Sequence, residues 1–153
     1  AKVAKKPLRA FTIGKVFRPD VIDARHLPEF IQLDGIIMED DTNFKTLLGT
    51  IKEFFERIGI ERVRFKPAYF PFTEPSVEGY IYIPGRGWVE CFGAGMFRPE
   101  VLEILGVEDP VGAWGFGVER IAMSLMGIED IRLLYTRDLS YLRSRTIKLR
   151  WWD

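Results

Sequence analysis

GAWGFGVER, at residues 112–120, is the segment from which the fold can be worked out. Its first half is small, apolar and rich in glycine, which predicts a strand whose backbone a flat ligand can approach closely. A helix is predicted over 118–126, and this places Arg120 in its first turn. The helix dipole is positive at that end, so a cation there indicates an anionic ligand. The alternative is an arginine that caps the helix or pairs with Glu119 or Glu129.

Two common nucleotide-binding motifs do not fit this segment. A P-loop is excluded because no Gly-Lys-Ser/Thr sequence follows the glycines. A dinucleotide-binding fingerprint is excluded because no parallel βαβ pattern surrounds it. Any anion site here must therefore be of another type.

Two strands are predicted towards the N-terminus, at residues 8–18 and 30–38. The first is rich in β-branched and aromatic residues. In the second, Gln32 and Asp34 are two residues apart and share one face with flanking apolar side chains. Paired oxygen acceptors of this kind suit an ammonium group, and the alternative is an ordinary solvated strand face.

The remaining pattern predicts an α+β fold, an antiparallel β-sheet flanked by helices. The clearest helix has an apolar stripe from Phe44 to Ile58, with Asp41 or Thr42 as its cap and Gly59 at its end. Further strands are predicted at 61–66, 76–83 and 88–92, and further helices after Pro99 and within 138–145.

Composition limits the function classes. The chain has 153 residues, with 22 Lys plus Arg and 22 Asp plus Glu, so nucleic acid would have to be bound by individually placed cations. The one cysteine, Cys91, excludes an internal disulfide framework and suits a reducing cytosol. No apolar run approaches membrane-spanning length, so no membrane association is expected.

Three further segments carry candidate site residues. Arg18 follows a strand and offers a rigid fork of donors to a phosphate or carboxylate, unless it pairs with a neighbouring aspartate. Phe70 and Phe72, separated by Pro71, can present their rings to a third aromatic ring, although phenylalanines are more often core residues. The small residues at 93–95 leave open space beside the sheet, or form a tight turn.

Together these segments resemble the α subunit of phenylalanyl-tRNA synthetases, in its archaeal or eukaryotic cytosolic form. FRPD at 17–20 resembles part of motif 2 of the class II synthetases, and GFGVER at 115–120 resembles motif 3. The resemblance implies a single partial class II catalytic domain over 1–153. Its matching parts are motif 2 (about 11–38), the phenylalanine-pocket segments (69–76 and 90–98) and motif 3 (about 112–126).

The resemblance also implies roles for individual residues. Arg18 and Arg120 would be catalytic, gripping the α- and γ-phosphates of ATP, and Glu74 would coordinate Mg²⁺. Asp20 and His26 would complete the ATP-binding set, and Asp20, like Asp34, is one methylene shorter than the glutamate usual in the family. The phenylalanine-binding set would be Gln32, Leu33, Asp34, Phe70, Phe72, Ala94 and Phe97.

ATP and Mg²⁺ are the implied cofactors, and phenylalanine and tRNA(Phe) the implied substrates. The implied partner is a β subunit in a cytoplasmic α2β2 heterotetramer. Motif 1 would precede Ala1, so we expect a fragment that by itself binds ligands weakly and charges no tRNA at a useful rate. The alternative function is a synthetase-like amino-acid- or nucleotide-binding module, or a fragment without aminoacylation activity.

Overall fold

The computed structural model describes residues 5–19, 21–23, 27–83 and 87–144. Its strands are β1 (Leu8–Phe17), β2 (Glu29–Met38), β3 (Val63–Phe70), β4 (Thr73–Ile83), β5 (Gly87–Phe97) and β6 (Gly112–Gly117). They form one sheet in the order β1-β2-β6-β5-β4-β3, and every neighbouring pair is antiparallel. The predicted α+β class is confirmed.

Helices flank this sheet as predicted. They are α1 (Phe44–Arg57), α2 (Pro99–Leu105), α3 (Val118–Met126) and α4 (Leu139–Ser144), with a 3₁₀ helix at Ile131–Tyr135. Gly106 and Gly127 end α2 and α3 with φ of 66° and 62°, a left-handed conformation that glycine adopts without strain. None of the helices in the described ranges is long and apolar enough to cross a membrane.

The hydrophobic core lies between α1 and one face of the sheet. Leu47, Ile51 and Phe55 project from α1 and are almost completely buried. The ring centroid of Phe55 lies 5.2 Å from those of both Phe92 on β5 and Phe116 on β6. Because side chains alternate along a strand, this packing directs the intervening residues of the same strands to the opposite face. That face is left for the candidate site.

The start of α1 corrects the predicted cap. The cap is Asn43, whose side-chain oxygen accepts from the backbone N–H of Thr46 at 3.1 Å, rather than Asp41 or Thr42. The Thr46 hydroxyl in turn accepts from the backbone N–H of Asn43 at 2.9 Å, which completes a capping box. The Thr42 hydroxyl has a different partner, because it accepts a hydrogen bond from the backbone N–H of Glu39 before the helix begins.

Asn43→Ala should lower the free energy of unfolding by about 1 kcal/mol, because it leaves an amide of the first turn without its acceptor. The matched control is Asp41→Ala, which removes the side chain that the sequence favoured but that does not cap the helix. Chemical denaturation followed by circular dichroism measures both variants. Equal destabilisation by the two substitutions would contradict the observed cap.

Strands β4 and β5 are longer than predicted. Thr73 to Pro75 is predicted to precede a strand and Gly93 to Phe97 to follow one, yet the first segment lies within β4 and the second within β5, where Thr73 pairs with Phe97 and Ser76 with Gly95. The reason is packing across the pair. A Cβ on Gly95 would lie 2.7 Å from both the Pro75 carbonyl oxygen and the Thr73 side chain, so only glycine lets these strands approach so closely.

Candidate active site

A cavity of about 850 Å³ opens on the sheet face opposite α1. This volume falls within the range of small-molecule sites and has room for more than one ligand group. β2, β5 and β6 supply much of its wall, together with residues at the start of β4 and of α3. The predicted site residues that line it are Arg18, Gln32, Asp34, Phe70, Phe72, Ala94, Phe97 and Arg120.

Gln32 and Asp34 form a polar pair in the middle of the cavity wall. The Gln32 amide nitrogen donates to Oδ1 of Asp34 at 2.6 Å, which fixes the amide orientation. The amide oxygen of Gln32 and the second carboxylate oxygen of Asp34 are then left to accept from a ligand. A Cβ on Gly115 would lie 2.5 Å from Nε2 of Gln32 and 2.7 Å from Oδ1 of Asp34, so both side chains lie over the glycine backbone.

Aromatic rings line another part of the cavity. The rings of Phe70 and Phe72 stack with centroids 6.2 Å apart and planes at 19°. Phe72 is 51% exposed, so the core role that phenylalanine usually has does not apply to it. A Cβ on Gly93 would lie 2.8 Å from Cζ of Phe70, so the space beside this glycine is occupied by the protein's own ring.

Arg18 lies at the mouth of the cavity, directly after β1. Its backbone N–H donates to the Pro28 carbonyl oxygen at 2.9 Å, which holds together the two ends of the loop between β1 and β2. Its guanidinium carbon lies 4.8 Å from the ring centroid of Phe30, a distance suited to a cation–π contact. This contact uses the flat face of the guanidinium and leaves the N–H groups at its edge for an anion.

Arg120 is held at the start of α3 by one side-chain hydrogen bond among the described residues. One of its terminal nitrogens donates to the Glu90 carbonyl oxygen at 3.1 Å. Within the described residues it forms no ion pair, so the predicted alternative of a salt bridge to Glu119 or Glu129 is not seen there. Its remaining donors are available to a ligand in the cavity.

Glu119 is a buried carboxylate that links three elements. Its Oε1 accepts from the backbone N–H of Ile31 on β2 at 2.7 Å and from the Tyr135 hydroxyl in the 3₁₀ helix. Removal of that hydroxyl from water, together with its bond to Glu119, raises the pKa of Tyr135, so the phenol stays protonated and donates. Oε2 of Glu119 is buried without a partner among the described residues, and the residue lines the cavity.

Several cavity residues were not predicted from the sequence, notably Glu90, Ala113 and Glu119. A glutamate inside an apolar strand, as Glu90 is, is a sequence signal for a site residue, because charged side chains are seldom placed among apolar ones without a role. Glu119 was interpreted only as a partner for Arg120. Ala113 lies two residues before Gly115 on β6, on the same strand face, and strand alternation was sufficient to include it.

Two predicted site residues lie elsewhere. Leu33 does not line the cavity, and its side chain packs against the core cluster because it alternates with Gln32 and Asp34 and so faces α1. Its assignment to the phenylalanine set stays a prediction. Glu74 also lies outside the lining, and its carboxylate pairs with Arg98 at 2.5 Å. The metal role of Glu74 stays a prediction.

Two other predicted positions cannot be compared with the structure. Asp20 and His26 lie outside the described residues. Their assignment to the ATP-binding set therefore stays a prediction.

The Cys91 thiol should be inert in the native protein. Burial raises its pKa to about 12, and a thiol with such a pKa is only about 10⁻⁴ ionised at pH 8. Alkylation by iodoacetamide at that pH should be at least 100-fold slower than in the unfolded chain. Mass spectrometry gives an unambiguous readout because Cys91 is the only cysteine, and equal rates would contradict the burial.

Comparisons with known proteins agree with this geometry. The family model described as tRNA synthetases class II core domain (F) matches residues 1–145. The phenylalanine–tRNA ligase alpha subunit of Sulfurisphaera tokodaii is 61% identical over 145 residues, or 95% of this chain and 31% of that protein. The subunit of the same name from Methanocaldococcus jannaschii is 56% identical over 138 residues, or 90% of this chain and 29% of that protein.

A solved structure shares the fold. Pyrrolysyl-tRNA synthetase from Desulfitobacterium hafniense matches with a TM-score of 0.68 and 25% identity, over 92% of this chain and 49% of that chain. The chain spans about a third of the length of the curated relatives it matches. With its fold, its cavity and this family match over residues 1–145, the chain belongs to the family of class II tRNA synthetase core domains, in the group designated F.

Proposed function

We propose that this chain is the part of a phenylalanine–tRNA ligase α subunit that binds ATP and phenylalanine and joins them as phenylalanyl-adenylate. The whole protein would then transfer the aminoacyl group to tRNA(Phe), in the cytoplasm, as an α2β2 assembly with its β subunit. The observation that carries the proposal is that one cavity is lined by two arginines, an amide–carboxylate pair and stacked phenylalanine rings.

The amino acid occupies the part of the cavity between Asp34 and the phenylalanine rings. Its ammonium group donates hydrogen bonds to the amide oxygen of Gln32 and to the free carboxylate oxygen of Asp34. Because this donor is charged, both hydrogen bonds are stronger than those between neutral groups. Its benzyl ring packs against Phe70 and Phe72, whose offset arrangement suits a third ring.

The nucleotide occupies the part of the cavity between Arg18 and Arg120. Neither arginine pairs with a carboxylate in the described part of the chain, so both charges are available to phosphate oxygens. Glu90 and Glu119 are carboxylates of the cavity wall, and the buried unpartnered Oε2 of Glu119 fits a cation. Mg²⁺ is commonly held by one or two carboxylates and the substrate phosphates, where it would neutralise phosphate charge.

Catalysis in this arrangement is positioning and charge stabilisation. The carboxylate oxygen of phenylalanine bonds to the α-phosphorus, the bond from that phosphorus to the β-phosphate bridging oxygen breaks, and pyrophosphate leaves. Arg18 and Arg120 offset charge that develops on the phosphate oxygens. The Gln32–Asp34 pair holds the amino acid so that its carboxylate meets the phosphorus in line.

The test is pyrophosphate exchange into ATP by the full-length protein that contains this chain, purified with the subunits that accompany it. Each of the common amino acids is supplied in turn, without RNA. Phenylalanine should give the highest kcat/KM, and Phe72→Ala should raise its KM. Preference for a non-aromatic amino acid would overturn the proposal, and tight binding of a phenylalanyl-adenylate analogue without any exchange would favour a binding module.

A further inference from the structure

A second group of cations lies on the cavity face of the sheet, at its outer edge. The group consists of three exposed residues, Arg62, Arg64 and Lys66, which occupy alternate positions along the chain. Arg62 directly precedes β3, the edge strand, and the other two lie within it. Alternate residues of a strand share a face and repeat about every 7 Å. Arg64 lies opposite Tyr80, which lies opposite Glu90 of the cavity wall, so this group and the cavity belong to the same face.

These three cations have no acidic partners in the part of the chain that the structure describes. Several exposed cations elsewhere do, as Lys15 pairs with Glu29 and Arg57 pairs with Glu53. The chain has no net charge, so three adjacent cations without acidic partners are a local exception rather than part of a general positive field.

Two half-buried aromatic rings hold the arginines in place. Tyr82 and Trp88 meet edge to face with centroids 5.5 Å apart. The guanidinium carbon of Arg62 lies 3.7 Å from the Tyr82 centroid, and that of Arg64 lies 4.3 Å from the Trp88 centroid. Stacking restrains each guanidinium and leaves its edge donors for phosphate oxygens. We call these five residues, Arg62, Arg64, Lys66, Tyr82 and Trp88, the basic strip.

Acidic residues set the boundary of the basic strip. Glu78 lies opposite Lys66 and accepts from the Tyr80 hydroxyl at 2.9 Å, and Glu90 is exposed beside the cavity. These carboxylates repel phosphates from the middle of β4 and β5. A polyanion is therefore favoured along β3 and the ends of β4 and β5 that carry Tyr82 and Trp88.

We infer that the basic strip binds the phosphate backbone of the RNA strand whose end enters the cavity. The inference rests on the proposed function, since it names the surface that receives the RNA substrate. Evenly spaced cations bind the phosphates of single-stranded RNA, and its bases can stack on the guanidinium planes of arginines that aromatic rings hold in place. A small anion would need only one of the arginines, and an acidic protein segment would gain little from the rings.

The experiment compares two double variants of the full-length protein with its accompanying subunits. Arg62→Ala with Arg64→Ala removes two of the strip's three cations, and Lys52→Ala with Arg57→Ala removes two exposed cations on α1 as the matched control. Binding of tRNA(Phe) transcript is followed by fluorescence anisotropy at several salt concentrations. The strip variant should bind at least tenfold more weakly, and its log–log salt slope should fall by about 1.4, as for two lost single-strand phosphate contacts.

Pyrophosphate exchange, which needs no RNA, should change less than twofold in both variants. If the wild-type protein shows no exchange, the proposed function fails while RNA binding can still be measured. If the strip variant also loses exchange through misfolding, two milder variants test the inference instead. Arg62→Lys with Arg64→Lys keeps both charges and should retain RNA binding. The single variant Lys66→Ala removes one charge and should weaken RNA binding. Unchanged RNA binding, equal loss in the α1 control, or a loss of subunit association in place of RNA affinity would overturn the inference.

Discussion

Arg120→Ala is expected to lower the rate of ATP-dependent phenylalanine activation about 1,000-fold while the protein stays folded. Arginines that offset phosphoryl charge in a transition state contribute on the order of 10³–10⁵ in rate. The structural loss is small by comparison, because within the described part of the chain the side chain donates one hydrogen bond, to the Glu90 carbonyl oxygen. Most of its donors are therefore left for the phosphate groups of the proposed substrate.

Pyrophosphate exchange measures this effect, and thermal unfolding checks the fold. Arg57→Ala is the control, since it removes an exposed cation paired with Glu53 on α1. Arg120→Lys keeps the charge without the planar fork and should recover only part of the rate. An Arg120→Ala protein within tenfold of wild-type activity would exclude Arg120 as a phosphate-binding catalytic residue.

Gly115→Ala should raise the KM for phenylalanine about 100-fold, which is the value of one or two hydrogen bonds to a charged group. The added methyl would lie 2.5 Å from Nε2 of Gln32 and 2.7 Å from Oδ1 of Asp34. Both atoms are at the ends of flexible side chains, so they move aside rather than unfold the sheet. The pair then no longer presents its two oxygens to the ammonium group.

Gly14→Ala is the matched control for this substitution. Gly14 is on β1, opposite Gln32 of β2, and a Cβ added to Gly14 would meet no other atom within 4 Å. Steady-state pyrophosphate exchange is measured at varied phenylalanine and at varied ATP, which reports on the two parts of the cavity separately. The KM for ATP should stay within a few-fold of the wild-type value. A rise in both KM values, or none, would contradict the role of the Gln32–Asp34 pair.

The fold was predictable where one periodicity dominates the sequence. The alternation around Gln32 and the three- and four-residue spacing from Phe44 to Ile58 predicted β2 and α1 with nearly correct bounds. The lengths of β4 and β5 were not predictable in the same way. Glycine usually indicates a turn, and here Gly79, Gly93 and Gly95 lie inside strands because side chains from other strands occupy the space above them.

The sequence predicted many of the residues that line the candidate site, but it did not predict the contacts between them. Segments far apart in sequence supplied Arg18, Asp34, Phe72 and Arg120, and the structure brings all four to one cavity. Contacts that depend on register, such as the reach of Glu119 to the backbone of Ile31, have no local signal in the sequence. The same holds for the basic strip, whose cations and rings come from three strands and meet only after the sheet has formed.

Glu119 has one more consequence, for the spacing of the two reactants. Its carboxylate is bonded to the backbone one residue from Gln32, and it is itself the neighbour of Arg120. Under the proposed function, Glu119 would thus help to set the distance between the residues that bind the amine and the arginine that binds the triphosphate, together with the β2–β6 pairing that places Gln32 opposite Gly117. A distance fixed in this way would meet the geometric demand of the proposed in-line reaction without either substrate having to close the gap.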